Sequence, residues 1–411
     1  MILLLTLLAV TSVTSEAASK PPPVPGDCLP SSRGDGSQGL DLLCHLSAIN
    51  SDQEKTNFSV VPAEHTVSLT VQCTDRDSVS HLEPRGFRSL VWLEDLAIID
   101  CNFQTIPDKA FLGLTRLKSL NIKSSTHGDL TFTRGSFEGL ANLQSLDLSE
   151  NNVRFPERGV LCSLPNLVSL NLSSSDLGDV RELGLSTVVS QANCVRNVRR
   201  LDLSRNRLTS LAWTQEADNS SDSGSGFSFP QIEKVDLSHN FLRGFTADSL
   251  DWLTSSGPVD LDMSNNQLSH LPSAIFRYAS FRHLSLANNS LTSVPSDIFA
   301  HQAKLEVLDL SGNYLDSPEL KPALFAETPA LSELYLNDNR CVFEMKTNYR
   351  SYLMASSERE LTVLQSHITR KIFAFNILLF YEVSSCSKPT IISSKQILRD
   401  FLIKRVVFFQ V

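Results

Sequence analysis

The chain has no excess of basic residues: 36 Lys and Arg stand against 45 Asp and Glu, a formal net charge of −9. Nucleic acid is therefore a poor partner, because a phosphate backbone calls for a basic footprint. There is no H-E-x-x-H, no G-x-S-x-G and no phosphate loop, so the short motifs that fix a metal, a nucleophile or a nucleotide are missing. The nine histidines are scattered. No carboxylate, histidine and nucleophile converge recognisably. The chain reads as a non-enzyme with no cofactor and no metal. Long apolar runs are also lacking: Ile2–Val10 and Ile372–Val383 both fall short of the about 20 residues a membrane helix requires. None of the eight cysteines stands in a C-x-x-C pair, which counts against structural zinc.

What is present in abundance is a repeat. Leu143–Val153 reads LQSLDLSENNV, the L-x-x-L-x-L-x-x-N-x-L signature of a leucine-rich repeat. In-phase units begin at Leu93, Leu117, Leu143, Leu167, Val198, Ile232, Pro258, Phe281, Leu305 and Leu331. Most are spaced by 23 to 26 residues, and two by 31 and 34. The ninth position holds Asn151, Asn206, Asn240, Asn266, Asn289, Asn313 and Asn339, with Ser175, Cys101 and Ser125 as substitutes. One such unit cannot bury its own apolar face and must stack on copies. The predicted fold is an α/β solenoid, a leucine-rich-repeat horseshoe with a concave parallel β-sheet and short convex turns. Ile106-Pro107 with Phe111, Leu271-Pro272 with Phe276 and Val294-Pro295 with Phe299 predict that each convex turn starts at a proline and packs its Phe into a spine, simply as core.

Residues 1–17 read as a signal peptide with small residues at the cut. Residues 18–39, rich in Pro, Ser and Gly, read as a linker. That linker holds Arg33-Gly34-Asp35, the tripeptide of integrin ligands, which is easily an incidental match. Residues 40–92 form an N-terminal cap with a degenerate first repeat over Thr66–Trp92, and residues 93–340 hold about ten repeats. After a leader, cysteines are disulfide candidates. Cys28, Cys44, Cys73 and Cys101 predict a disulfide cap over the exposed N-terminal end of the core. Four cysteines allow three connectivities. Cys73 with Cys101 is the favoured pair because equivalent strands of adjacent repeats are neighbours, leaving Cys28 for Cys44; zinc is the alternative for the cluster. Cys162 and Cys194 are expected to pair across the long loop of the Leu167 unit.

Side chains alternate along a strand, so residues between the leucines face the concave surface. Asp147, Asp202, Asp236, Asp262 and Asp309 recur there, interrupted by Arg200, Arg205 and Lys234. His239 and His283 face the same way, two repeats apart. An acidic face could steer a basic protein ligand; the simpler reading is a solvated Asp in a common L-D-L-S filler. Sequons occur at Asn57, Asn171, Asn219 and Asn288, the expected glycan sites of a secreted chain. Asn171 lies on a strand, where a glycan would obstruct the concave face. The insertions Asp218–Pro230 and Leu183–Asn197 map to one face, where partners often touch.

Leu42–Asn57, Thr66–Cys73, Phe87–Leu90, Cys101-Asn102-Phe103, the I-P-x-x-A-F run, and Cys162 with Cys194 together resemble the N-terminal ectodomain of arthropod Toll receptors, closest to the long-ectodomain subgroup. The resemblance covers Cys28–Asn339. It implies a cell-surface receptor whose solenoid takes a protein ligand, a Spätzle-like cystine-knot cytokine or a neighbouring cell's surface protein. It further implies a receptor dimer, a membrane helix and a cytoplasmic TIR domain, with roles in innate immunity or epithelial development. The repeat pattern stops after Arg340. Residues 341–411 carry ten Lys and Arg against five Asp and Glu, with no recognisable C-terminal cap. The expectation is a truncated receptor ectodomain with a non-native tail, extracellular as written; the alternative is a secreted or matrix-associated adhesion or decoy protein.

Overall fold

The computed structural model of the protein describes residues 27–31, 39–49, 58, 61–124, 128–183, 185, 195–211, 229–246, 249–253, 255–273, 275–315, 322–325, 327–339 and 391–393. The leader, the Arg33-Gly34-Asp35 tripeptide, Asn57, Asn219, Cys194 and nearly all of residues 341–411 lie outside them.

A leucine spacing of two within each strand and about 24 between strands dictates a parallel stack. Among the described residues one sheet runs in chain order through β1 (Cys28–Ser31), β2 (Leu40–Leu46), β3 (Thr66–Cys73), β4 (Asp95–Ile99), β6 (Ser119–Lys123), β8 (Ser145–Asp147), β10 (Ser169–Asn171) and β11 (Arg200–Asp202). It continues through β12 (Lys234–Asp236), β13 (Val259–Asp262), β14 (Phe281–Ser285), β15 (Val307–Asp309), β16 (Glu333–Tyr335) and β17 (Ile391–Ser393). From β2 to β16 every pairing is parallel; β1 on β2 and β17 on β16 are antiparallel. β1 lies inside the stretch read from composition as linker. Cys28 and Cys44 are register partners there, so a disulfide staples an edge strand that its own residues would not specify. A second small sheet joins β5 (Thr105–Ile106), β7 (Asp129–Phe132) and β9 (Asn152–Arg154). The fold is a parallel β-sheet solenoid of the leucine-rich-repeat horseshoe type.

The core is the ladder of inward residues. Leu96, Leu120, Leu146, Leu170, Leu201, Val235, Leu261, Leu284, Leu308 and Leu334 sit in register and are all buried. Each fully buried leucine contributes about 1.5–3 kcal/mol relative to an exposed one. Behind the sheet, Phe58, Phe87 and Phe111 stack at 4.7 and 6.0 Å between ring centroids, and Phe276, Phe299 and Phe325 at 6.4 and 6.1 Å. Convex turns begin at proline: Ala110, Ile275 and Ile298 donate their N–H groups to the carbonyls of Pro107, Pro272 and Pro295, and Pro322–Phe325 is a 3-10 helix.

The asparagine ladder closes each turn. Asn240 Nδ2 donates to the carbonyls of Leu203, Leu237 and Ser238 at 2.9–3.2 Å, and its Oδ1 accepts the Leu208 N–H. Asn151, Asn206, Asn266, Asn289, Asn313 and Asn339 repeat this arrangement. One amide thus satisfies backbone groups of two turns that no strand partner reaches. At the N-terminal end, Cys101 holds the position of that asparagine and is joined to Cys73. With Cys28–Cys44 also closed, none of the four sulfurs is free as a thiolate ligand. Cys162 is also disulfide-bonded. The two described disulfides place the domain in an oxidising, extracellular setting. Among the described residues no helix is long and apolar enough to cross a membrane.

Candidate interaction surface

Pleating sends alternate residues of the long sheet to the concave side, where register aligns them in columns. One column runs Ala97, Asn121, Asp147, Asn171, Asp202, Asp236, Asp262, Ser285, Asp309 and Tyr335. The five aspartates expected to share a face therefore do. Each is half-buried, and each accepts a backbone N–H from the serine two residues on. Ser149, Ser204, Ser238, Ser264 and Ser311 donate to Asp147, Asp202, Asp236, Asp262 and Asp309 at 2.8–2.9 Å. These are Asx turns, by which the carboxylate helps bend the chain out of the strand. Asn171 does the same work, its Oδ1 accepting the Ser173 N–H at 3.0 Å.

The column two residues upstream runs Ser119, Ser145, Ser169, Arg200, Lys234, Asp260, His283, Val307 and Glu333. Arg200 and Lys234 are adjacent and exposed. Asp260 is gripped bidentately by Arg282, at 2.9 and 2.7 Å, with His283 Nδ1 at 3.4 Å. The Asp260 bonds hold the Arg282 guanidinium above its ordinary pKa. Glu333 accepts the Tyr335 hydroxyl at 2.8 Å, which with burial holds that phenol above its ordinary value.

A third column borders the concave face where each strand turns away: Glu150, Ser174, Arg205, His239, Asn265, Asn288, Gly312 and Asp338, all at positive φ between 53° and 63°. The bend is uncommon outside glycine. Here it is held because the N–H groups, from Glu150 to Gly312, donate to the next turn. Gly312 is the position where a side chain would not fit, since an added Cβ would collide with Asn288 Oδ1. Asn288 is exposed and donates to Asn265 Oδ1 at 3.2 Å.

Some surface features were not anticipated. After each ladder asparagine the chain passes the lateral side, where Phe241 and Tyr314 are exposed. On the same side an ionic chain crosses successive repeats. Arg154 reaches Asp129 at 3.3 Å and Asp176 at 3.2 Å, and Arg207 also pairs with Asp176. Burial pushes the Asp176 carboxyl up, but hydrogen bonds and charge from Arg207 and Arg154 outweigh it and hold the pKa below the ordinary range. Register counted from the asparagine could have located both features; which of those side chains stay exposed depends on neighbouring repeats. Among the described residues no cluster of three or more His, Cys, Asp or Glu is placed to hold a metal ion.

Residues 130–177 and 279–340 match the family described as "Leucine rich repeat". The chain is similar to Toll-like receptor 7 of Drosophila melanogaster, 28% identical over 204 residues, covering 47% of this chain and 13% of that protein. It is similar to Tsukushi of Gallus gallus, 31% identical over 240 residues, 57% of this chain and 64% of that one. A solved structure of the Toll–Spatzle complex of Drosophila aligns at TM-score 0.50 and 16% identity, covering 77% of this chain and 45% of that one. This likeness speaks to fold alone. The chain thus spans a small part of the receptors it resembles. It is an extracellular leucine-rich-repeat solenoid, related to receptors and to other repeat proteins alike. Such a solenoid is a protein-interaction scaffold, not a catalytic one.

Proposed function

We propose that the protein is the ligand-binding ectodomain of a Toll-type receptor, taking a protein ligand of the cystine-knot cytokine kind on its concave and adjoining lateral faces. The observation that carries this reading is the pairing of a disulfide-closed N-terminal end with a concave sheet whose charged columns stay open to solvent. The similarity to the Drosophila receptor supports the Toll assignment. Toll in its solved complex is bound to Spatzle, and a protein ligand for this chain is proposed by analogy with that complex. Innate-immune or developmental signalling and receptor dimerisation on ligation belong to the same proposal. So do the segments assigned from sequence: leader 1–17, linker 18–39, cap 40–92, repeats 93–340 and tail 341–411.

A second reading is a secreted or matrix-associated adhesion or decoy protein, since the match to Tsukushi, whose name marks no receptor, covers more of its relative than any receptor match above. Binding of the secreted full chain to immobilised disulfide-linked cystine-knot cytokines tests the first reading. Saturable binding that doubles in mass on ligation is expected. Capture by matrix-coated surfaces with no cytokine binding would replace the first reading by the second.

A further inference from the structure

We propose that Arg200, Lys234 and Arg205 form the docking point for an acidic segment of the protein partner, on strands β11 and β12 of the concave face. The inference deepens the ligand-binding reading and rests on it. Arg200 and Lys234 are register partners on adjacent parallel strands, roughly 4.8 Å apart across the ladder. Like charges directly opposite each other on a sheet are destabilising. Elsewhere along the sheet neighbouring cations are matched. Lys118 pairs with Glu94, Lys123 with Glu150, Arg199 with Glu233 and Arg282 with Asp260. Among the described residues Arg200, Lys234 and Arg205 make no ion pair, and all three are exposed.

The carboxylates around them are already engaged. Glu233 pairs with Arg199 at 3.2 Å. Asp260, the register partner of Lys234 on the far side, carries the bidentate Arg282. Asp202 and Asp236 each give one oxygen to a serine N–H. The three cations are therefore the positive charges without an ion pair on a face where acids outnumber bases. Arg205 stands at positive φ on the border of the face, with exposed His239 in the next repeat. Together they make a compact block of donors in which each guanidinium can grip one carboxylate through two parallel N–H···O bonds.

The surroundings favour a short acidic peptide segment over a long polyanion. Asp202, Asp236 and Asp262 lie alongside the block, and they would repel a sulfated polysaccharide running past it. On the N-terminal side, the Asn171 sequon is the register partner of Asp202. A glycan there would border the block and leave approach from the β13 side.

The test uses the full secreted chain and a fluorescein-labelled octaglutamate peptide, followed by fluorescence anisotropy at low salt. R200E/K234E is expected to weaken binding by about tenfold or more, and added salt should weaken wild-type binding. K118E/K123E changes charge equally on the same face but at matched cations, and is expected to stay within about threefold of wild type. R200Q/K234Q guards against a folding artefact: relief of the like-charge contact should leave its Tm unchanged or raised. Absence of wild-type binding, equal loss in both charge reversals, or a lowered Tm for R200Q/K234Q would overturn the proposal. Heparin binding that R200E/K234E leaves intact while octaglutamate fails to compete would also overturn it. A protein ligand that binds R200E/K234E as tightly as wild type sinks this site and leaves the ligand-binding reading standing.

Discussion

Adjacent turns are tied together by sulfur at the N-terminal end of the solenoid and by amides through its middle. The two solutions meet at one repeat position. Cys101 and Asn151 both stand three residues after the second buried apolar residue of the unit, Ile98 and Leu148. Asn151 reaches the carbonyls of Ile122, Leu148 and Ser149. Cys101 reaches Cys73 in the preceding turn, and its Sγ lies 3.5 Å from the Ile99 carbonyl, the equivalent of Ser149. A ladder rung works by hydrogen-bonding within its own turn and to the turn before it. Near the end of the stack a neighbouring turn is degenerate, and a covalent tie does not depend on its geometry. Amides therefore suit positions whose preceding turn is regular, and cysteines suit the cap.

Deleting a rung from the middle should have the largest effect. Asn240→Ala strips three donated bonds and one accepted bond from buried backbone, a loss of about 3–5 kcal/mol. Urea unfolding should show it as a lower midpoint, and a loss below about 1 kcal/mol would break the comparison. Cys73→Ala with Cys101→Ala opens a loop with a sequence separation of 28 and should cost about 3–4 kcal/mol on the chain-entropy account. The sharper variant is Cys73→Ala with Cys101→Asn. If the position is interchangeable, the new amide should recover about 1–2 kcal/mol of that loss; no recovery would show that the cap cannot use a rung. Smaller still is Asp202→Ala, which removes the Asx bond to Ser204 and should lower stability by about 1 kcal/mol, visible as a modest fall in Tm.

The same contrast governs what could be read in advance. Leucine, asparagine and aspartate recur at fixed offsets, so the solenoid, the rungs and the aspartate column were legible from one repeat. The pairing of Cys73 with Cys101 followed from strand adjacency. β1 was not legible, because Cys28–Ser31 sits in Pro- and Ser-rich sequence and becomes a strand through pairing with Leu40–Leu46. Nor was the state of the charges. A formula of five aspartates and three bases says nothing of Ser204 and Ser238 holding Asp202 and Asp236. It also does not show Arg282 closing on Asp260, 22 residues away. The Asp260 contact depends on which residues of neighbouring turns fall side by side, and a register shift between Val259 and Asp260 displaces them there.

Within the amide-tied region, between the rungs of Asn151 and Asn206, lies a weak one. Ser175 replaces asparagine, and its one hydroxyl proton is shared between the carbonyls of Leu148 and Ser173 at 3.2 and 3.3 Å. The adjacent Asp176 is held from both sides, by Arg154 of the turn before and Arg207 of the turn after, so ionic ties reinforce the stack where the amide is missing. Because its folded pKa is depressed, Asp176 contributes stability that is fully present above the unfolded carboxylate pKa. That contribution is lost as pH falls through the lower, folded value. Asp176→Asn should therefore lower Tm at neutral pH, and the gap to wild type should close on acidification below the ordinary aspartate range. Both arginines are partly exposed, so high salt should narrow the same gap. A gap unchanged by acid would mean that Asp176 supports Ser175 through packing rather than charge, and the middle of the solenoid would then hold together by amides alone.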